Sequence, residues 1–222
     1  MDLTHGDTRL IIDTCKKYGL LRNQAAYVLA TAWHETAHTM KPVREYGGEE
    51  YLKKKKYYPY VGMGYVQLTW KANYIRASDE LDVDFVKNPK LLLKAQYAAP
   101  ILVIGSRDGW FTTKRLADYM TLYKSDFVGA RRIINGTDKA SLIAGYARTY
   151  DTLLKAEGYG ETGSSLEDTQ PWTPPPHPKP VVVHVDPDGS VKPGSSPVKT
   201  VERNPIWAGL FAILKAIFRR GK

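Results

Sequence analysis

Apolar residues over positions 1–160 recur mostly at three- and four-residue intervals, the repeat of a helix face. "DTRLIIDTCKKYGL" follows that repeat and ends at Gly19, which predicts a helix closed by a glycine C-cap. "NQAAYVLATAWHETAHTM" opens on Asn23, an N-cap type, and predicts a second helix to about Met40, with Pro42 as its stop. "NPKLLLKAQYAAPILVIGSRDGW", "DFVGARRIING" and "KASLIAGYARTYDTLLKAEG" predict further helix, the last ending at Gly158. "YVGMGYVQLTW" departs from the pattern: its glycines, β-branched residues and aromatics predict a loop with short strands. There is no internal repeat. The expectation is a mainly α domain carrying a small loop/β segment.

Proline divides the chain. Prolines 42, 59, 89 and 100 are the only ones before residue 161, and the other ten fall within residues 171–205. "QPWTPPPHPKPVVVHVDPDGSVKPGSSPVK" cannot hold a continuous helix and offers little to build a core. It reads as a linker over 161–205, with "VVVHV" as a short strand candidate. The apolar run "NPIWAGLFAILKAIFRRGK" follows. Residues 206–218 are too few to span a bilayer as a straight helix. On a helix, Trp207, Leu210, Phe211, Leu214, Ile217 and Phe218 cover one broad side, and Arg219, Arg220 and Lys222 end the run. That is the character of an interfacial helix over 206–222, contacting anionic membrane or outer-membrane lipid. A helix docking on the domain or on another copy is the competing expectation.

The chain has 222 residues, 43% of them hydrophobic, enough for one well-buried domain with an appendage. The net charge of +9 favours anionic partners: nucleic acid, acidic lipid or acidic wall polymer. Cys15 stands alone, which excludes an internal disulfide and a Cys-rich zinc site. "MDLTHGDTRLIIDTC" lacks the basic and apolar regions of a secretory signal, so synthesis and folding in the cytoplasm are expected.

"HETAH", residues 34–38, fits the His-Glu-x-x-His pattern of zinc proteases. His34 and His38, four residues apart, share a face of the predicted helix, but a catalytic zinc needs a third protein ligand. Position 44, where the extended pattern has its third histidine, is Arg, and the remaining histidines are His5, His177 and His184. A distant carboxylate such as Glu80 would have to serve. The other reading pairs Glu35 with Glu45, ten positions on and across the helix end. Two carboxylates in different environments suit glycoside hydrolysis: one stays protonated to supply a proton, the other stays charged to activate water. Trp33 and the neighbouring alanines would provide the apolar wall that keeps Glu35 protonated.

"AYVLATAWHETAHTMKPVREYGG", "YVGMGYVQLTWKANY" and "RRIINGTDKASLIAGYARTY" stand in consistent order across roughly residues 5–157. Together they resemble the family 19 glycoside hydrolases, most closely the short chitinase-like endolysins of bacteriophages. The resemblance implies a lysozyme-like helical fold with a deep cleft. It also implies cleavage of β-1,4 bonds next to N-acetylated sugars, by an inverting mechanism without metal or other cofactor. It makes Glu35 the general acid and Glu45 the general base. It places Tyr65, Gln67, Thr69, Asn73, Asn135 and Arg148 on the substrate. The family's usual Gly-Arg-Gly before "QLT" is here Gly62-Met63-Gly64, and the disulfides and long loops of the plant chitinases are missing. The compact bacterial-wall version is therefore expected: a monomer stored in the host cytoplasm and released at lysis onto peptidoglycan, with the MurNAc–GlcNAc bond favoured. Chitin hydrolysis, a zinc peptidase at "HETAH" and a non-catalytic wall- or membrane-binding protein are the alternatives. "YLKKKKYYPYVGMGY" interleaves Lys53–Lys56 with tyrosines, a solvated loop or a basic rim for anionic polymer. No nucleic-acid motif accompanies it, so nucleic acid is not an expected partner.

Overall fold

The computed structural model describes residues 1–160. The linker and the tail helix expected at 161–205 and 206–222 lie outside them. Seven α-helices and two short 3₁₀ turns carry the described chain, with one two-stranded ribbon. No helix among the described residues is long and apolar enough to cross a membrane.

α1 (Thr8–Lys17) closes as its sequence predicts. Gly19 takes a left-handed φ of 68°, and the amides of Gly19 and Leu20 bond back to Lys16 and Cys15. α2 (Arg22–Glu35) is the central element. Every residue from Ala25 to Ala32 is fully buried, so the helix has no solvent face. α7 (Ala140–Ala156) packs along it, the most extensive pairing of elements in the domain, and α7's Ala144 and Ala147 are buried in the same core. α1 and α5 (Ala95–Asp108) complete the packing around this core.

α2 stops five residues before Met40, and this corrects the expected length. His38 N–H donates to the Trp33 carbonyl and Ala37 N–H to that of His34, the two bonds of a Schellman motif. Ala37 holds the left-handed position at φ 49°, where glycine is usual. Thr36 Oγ1 receives the Met40 amide at 3.0 Å, and Asp7 N–H bonds the Met40 carbonyl at 3.0 Å, tying the turn to the N-terminus. The expected N-cap, Asn23, lies inside α2. Its side-chain amide bonds to the Thr121 and Lys124 carbonyls and to Ser125 Oγ.

A second apolar cluster lies under the "YVGMGYVQLTW" loop, with Leu52, Val61, Leu68, Tyr74, Phe85 and Ile104 among its members. β1 (Val43–Arg44) and β2 (Met63–Gly64) pair antiparallel above it, Val43 opposite Gly64 and Arg44 opposite Met63. α3 (Gly48–Leu52), α4 (Lys71–Leu81) and α6 (Leu116–Tyr119) are additions to the sequence-level picture. The expected helix at "DFVGARRIING" is instead a 3₁₀ turn over Gly129–Ile133, preceded by an Asp126 side chain that accepts the Gly129 amide.

Candidate active site

Glu35 is the last residue of α2, where the helix presents partial negative charge. Only 1% of its side chain is exposed, and the same holds for Arg131, which approaches from the second 3₁₀ turn. Arg131 Nη1 donates to Glu35 Oε1 at 2.7 Å, and its Nε donates to the Asp138 carbonyl at 3.0 Å. Glu35 Oε2 is buried and accepts no hydrogen bond among the described residues. Burial raises the carboxyl's pKa above its ordinary value, while the charge and hydrogen bond of Arg131 pull the other way. His34 packs beside it, and burial together with the Arg131 charge lowers its pKa to about 4. That ring is neutral at physiological pH.

Glu45 continues the ribbon past β1. Its amide donates to the Gly62 carbonyl at 2.7 Å, and the Gly62 amide donates back to Glu45 Oε2 at 3.1 Å. Tyr57 O–H donates to Oε1 at 2.6 Å, its ring set edge-on to Trp70. Gly62 lies close under the "QLT" segment: a Cβ there would meet Gln67 Oε1 at 2.7 Å and displace that side chain. The two carboxylates therefore occupy unlike surroundings, one enclosed against an arginine, the other held by a phenol and a backbone amide.

The "QLT" segment joins this second group. Gln67 Nε2 donates to the Val43 carbonyl at 2.9 Å, Thr69 Oγ1 to the Gln67 carbonyl at 2.7 Å, and Asn73 Nδ2 to the Thr69 carbonyl at 2.7 Å. This chain of bonds leads from α4 to the strand that carries Glu45. Gln67 Oε1 is buried without a partner among the described residues. Asn135 follows the 3₁₀ turn that carries Arg131: half-buried, its backbone N–H donates to the Arg131 carbonyl at 2.8 Å and its side-chain Oδ1 accepts the Gly136 amide at 2.9 Å. Tyr65 is buried in the main core and its hydroxyl donates to Asp7 Oδ2 at 2.8 Å, while Arg148 is exposed on α7. Neither has a direct bond to Glu35 or Glu45.

Because α2 ends at Glu35, His34 and His38 do not share a helix face. The His38 ring stacks on Trp33 with centroids 4.7 Å apart, and His5 Nε2 bonds the His38 carbonyl at 2.9 Å. Among the described residues no three His, Cys, Asp or Glu side chains are grouped to hold a metal ion. Glu80, the distant ligand considered for zinc, is exposed on α4.

Over 123 residues the chain is 32% identical to an acidic endochitinase of Dioscorea japonica. The match takes in 52% of this chain and 47% of that protein, so the chain spans about half the length of this curated relative. The kinship is distant, and it is to a chitinase-type glycoside hydrolase. No family model and no solved structure matches the chain.

Sequence reasoning missed Arg131, and it missed the bonds that Tyr57 and Gly62 make to Glu45. A glutamate at the end of a buried helix calls for a cation, and "ARRI" was a visible source. Nothing in the sequence chooses Arg131, fully buried, over Arg132, exposed.

Proposed function

We propose that the domain is a glycosidase of bacterial peptidoglycan, cutting β-1,4 bonds next to N-acetylated sugars with inversion. Glu35 is the general acid and Glu45 the general base. The observation that carries this reading is the Glu35–Arg131 pair. Burial favours the protonated form of this carboxyl, and Oε2, buried without a partner among the described residues, is the oxygen that would carry the proton meant for a leaving sugar. Glu45 accepts one hydrogen bond at each oxygen and keeps lone pairs for an attacking water. Gln67, Thr69, Asn73 and Asn135 are the proposed sugar contacts, and Gln67 Oε1, without a partner among the described residues, is the acceptor in this set still open to a bond. The likeness to a plant endochitinase supports the bond type. The missing cysteines favour wall polymer over chitin as substrate. On this reading the protein is a phage-type endolysin, made in the host cytoplasm and acting on the wall at lysis, and residues 206–222 contact anionic lipid. Deleting residues 200–222 then lowers liposome binding and spares peptidoglycan hydrolysis.

A second reading has one observation behind it. A glutamate with 1% of its side chain exposed, paired to an equally buried arginine, also describes a structural lock in a non-catalytic wall-binding protein. Glu35→Gln separates the two. It should abolish release of reducing ends from purified peptidoglycan while preserving the fold and binding to sacculi. Undiminished release overturns the acid assignment, and mass spectrometry of the released ends identifies the bond.

A further inference from the structure

A cavity of about 750 Å³ opens beside the ribbon, and neither Glu35 nor Glu45 lines it. Arg44 does, one residue before Glu45, since successive side chains leave a strand on opposite faces. The facing wall is the segment from Lys87 to Lys94, which passes through the first 3₁₀ turn (Pro89–Leu93) into α5. Four cations, Arg44, Lys87, Lys90 and Lys94, stand against one carboxylate, Glu49.

That carboxylate is already engaged. Glu49 accepts from Arg44 Nη2 at 2.8 Å and from Tyr58 O–H at 2.7 Å, and the two bonds hold its carboxyl below the ordinary glutamate range. Lys87 lies 3.2 Å from Asp84. Lys90 and Lys94 meet no carboxylate among the described residues, and both are exposed. Lys94 also caps α5, a helix of 14 residues with no acidic side chain in its first turn, so the positive end of that helix adds to the same mouth. Pro59, Met63, Leu91 and Pro89 supply apolar surface between the charges. Low-dielectric walls around uncompensated cations focus the field and concentrate anions. The apolar patches suit the C–H faces of sugar rings.

We propose that this cavity is an anion subsite for the wall polymer, taking carboxylate or phosphate groups carried by the glycan while its backbone lies across the ribbon toward Glu45. The proposal rests on the peptidoglycan reading given above. It makes the substrate class an acidic glycan and not a neutral one.

The test uses the full chain carrying Glu35→Gln, so that bound polymer survives, with and without Lys90→Glu and Lys94→Glu. The probes are sacculi stripped of phosphodiester polymers, the same sacculi with carboxyl groups amidated, unstripped sacculi, and neutral chitin. Charge reversal should weaken binding to stripped sacculi about tenfold relative to chitin at low salt, and amidation should remove the same factor from the parent protein. A difference confined to unstripped sacculi supports the subsite with phosphate as its ligand. Equal binding by both proteins to every sacculus overturns it, as does an equal loss on chitin. So does an equal loss from the charge-matched control Lys114→Glu with Lys155→Glu, since that would be the field of the whole protein. Hydrolysis is read separately on the chain with Glu35 intact. Absence of released reducing ends refutes the glycosidase and leaves this comparison standing.

Discussion

Replacing Arg131 with Met removes a buried cation and roughly keeps its bulk. In the native domain the guanidinium bonds Glu35 Oε1 at 2.7 Å and the Asp138 carbonyl at 3.0 Å. Arg131→Met leaves Glu35 enclosed with no countercharge. Removing one partner of a buried pair costs about 3–5 kcal/mol when the other stays charged. Glu35 has an escape, because it can bind a proton. Burial already raises its pKa, and loss of Arg131 removes the opposing influence, so the folded value climbs further. A carboxyl that binds protons more tightly folded than unfolded gives a stability that falls as pH rises from the ordinary glutamate range through the folded pKa, then levels off. Arg131→Met extends that fall to higher pH. The deficit against the parent should therefore be about 1–2 kcal/mol near pH 4.5 and about 3–5 kcal/mol at pH 8. Urea unfolding at a series of pH values measures it, with the midpoint moving and the m-value constant. Adding Glu35→Gln to Arg131→Met should recover more than about 2 kcal/mol at pH 8, because the uncompensated charge is gone. A deficit that is the same at pH 4.5 and pH 8, or a double variant no more stable than Arg131→Met, would refute the coupling. On peptidoglycan, loss of the group that fixes the proton donor should lower kcat about 100-fold.

Tyr57→Phe keeps the ring against Trp70 and removes the hydroxyl that bonds Glu45 at 2.6 Å. It should cost about 1.5–3 kcal/mol in thermal or urea unfolding and lower peptidoglycan hydrolysis about tenfold, with fold retained by circular dichroism. His34, pushed down to about 4, should titrate in an NMR pH series with a midpoint near that value. Its folded pKa lies below the unfolded one, so its contribution to stability is complete above about pH 6.5 and is lost as pH falls toward 4. A midpoint above 6 would rule out the enclosed ring. Ala37→Gly relieves a left-handed alanine at φ 49° and should raise stability by about 0.5–1 kcal/mol, read as a higher Tm. A lower Tm would mean that the Schellman turn does not set the end of α2.

α1 and α7 were legible because their apolar repeat is sustained and each closes on a left-handed glycine, Gly19 and Gly158, whereas α4, with 11 residues, was not read. α3 and α6, of 5 and 4 residues, are too short to show a repeat at all. The end of α2 was misread for a different reason. Every residue in "ETAHTM" tolerates helix, and the stop depends on bonds that no residue type announces: Thr36 Oγ1 captures the Met40 amide within the string, and the distant Asp7 amide holds the Met40 carbonyl. The same limit applies to the site. Glu35, Glu45 and "QLT" announce themselves as residue types in local strings. Arg131 lies 96 positions from the carboxylate it pairs with, and no local pattern carries that pairing.

The short stop of α2 also decides what "HETAH" can be. On a continued helix the two histidines would project together and Glu35 would serve a metal between them. With the helix closed at Glu35, the Schellman turn carries His38 out to stack on Trp33, and His34 is left buried and neutral. The glutamate becomes the terminal group of the helix, placed at its negative end and facing Arg131, the one buried arginine among the described residues. Helix end and burial both favour the protonated acid, and Arg131 alone opposes them. A cation in that position tunes the carboxyl without replacing its proton, and removing it should shift the alkaline limb of the pH–rate profile, where the donor loses its proton, to higher pH. That displacement distinguishes a proton donor from a structural lock, because a lock has no pH–rate profile to move.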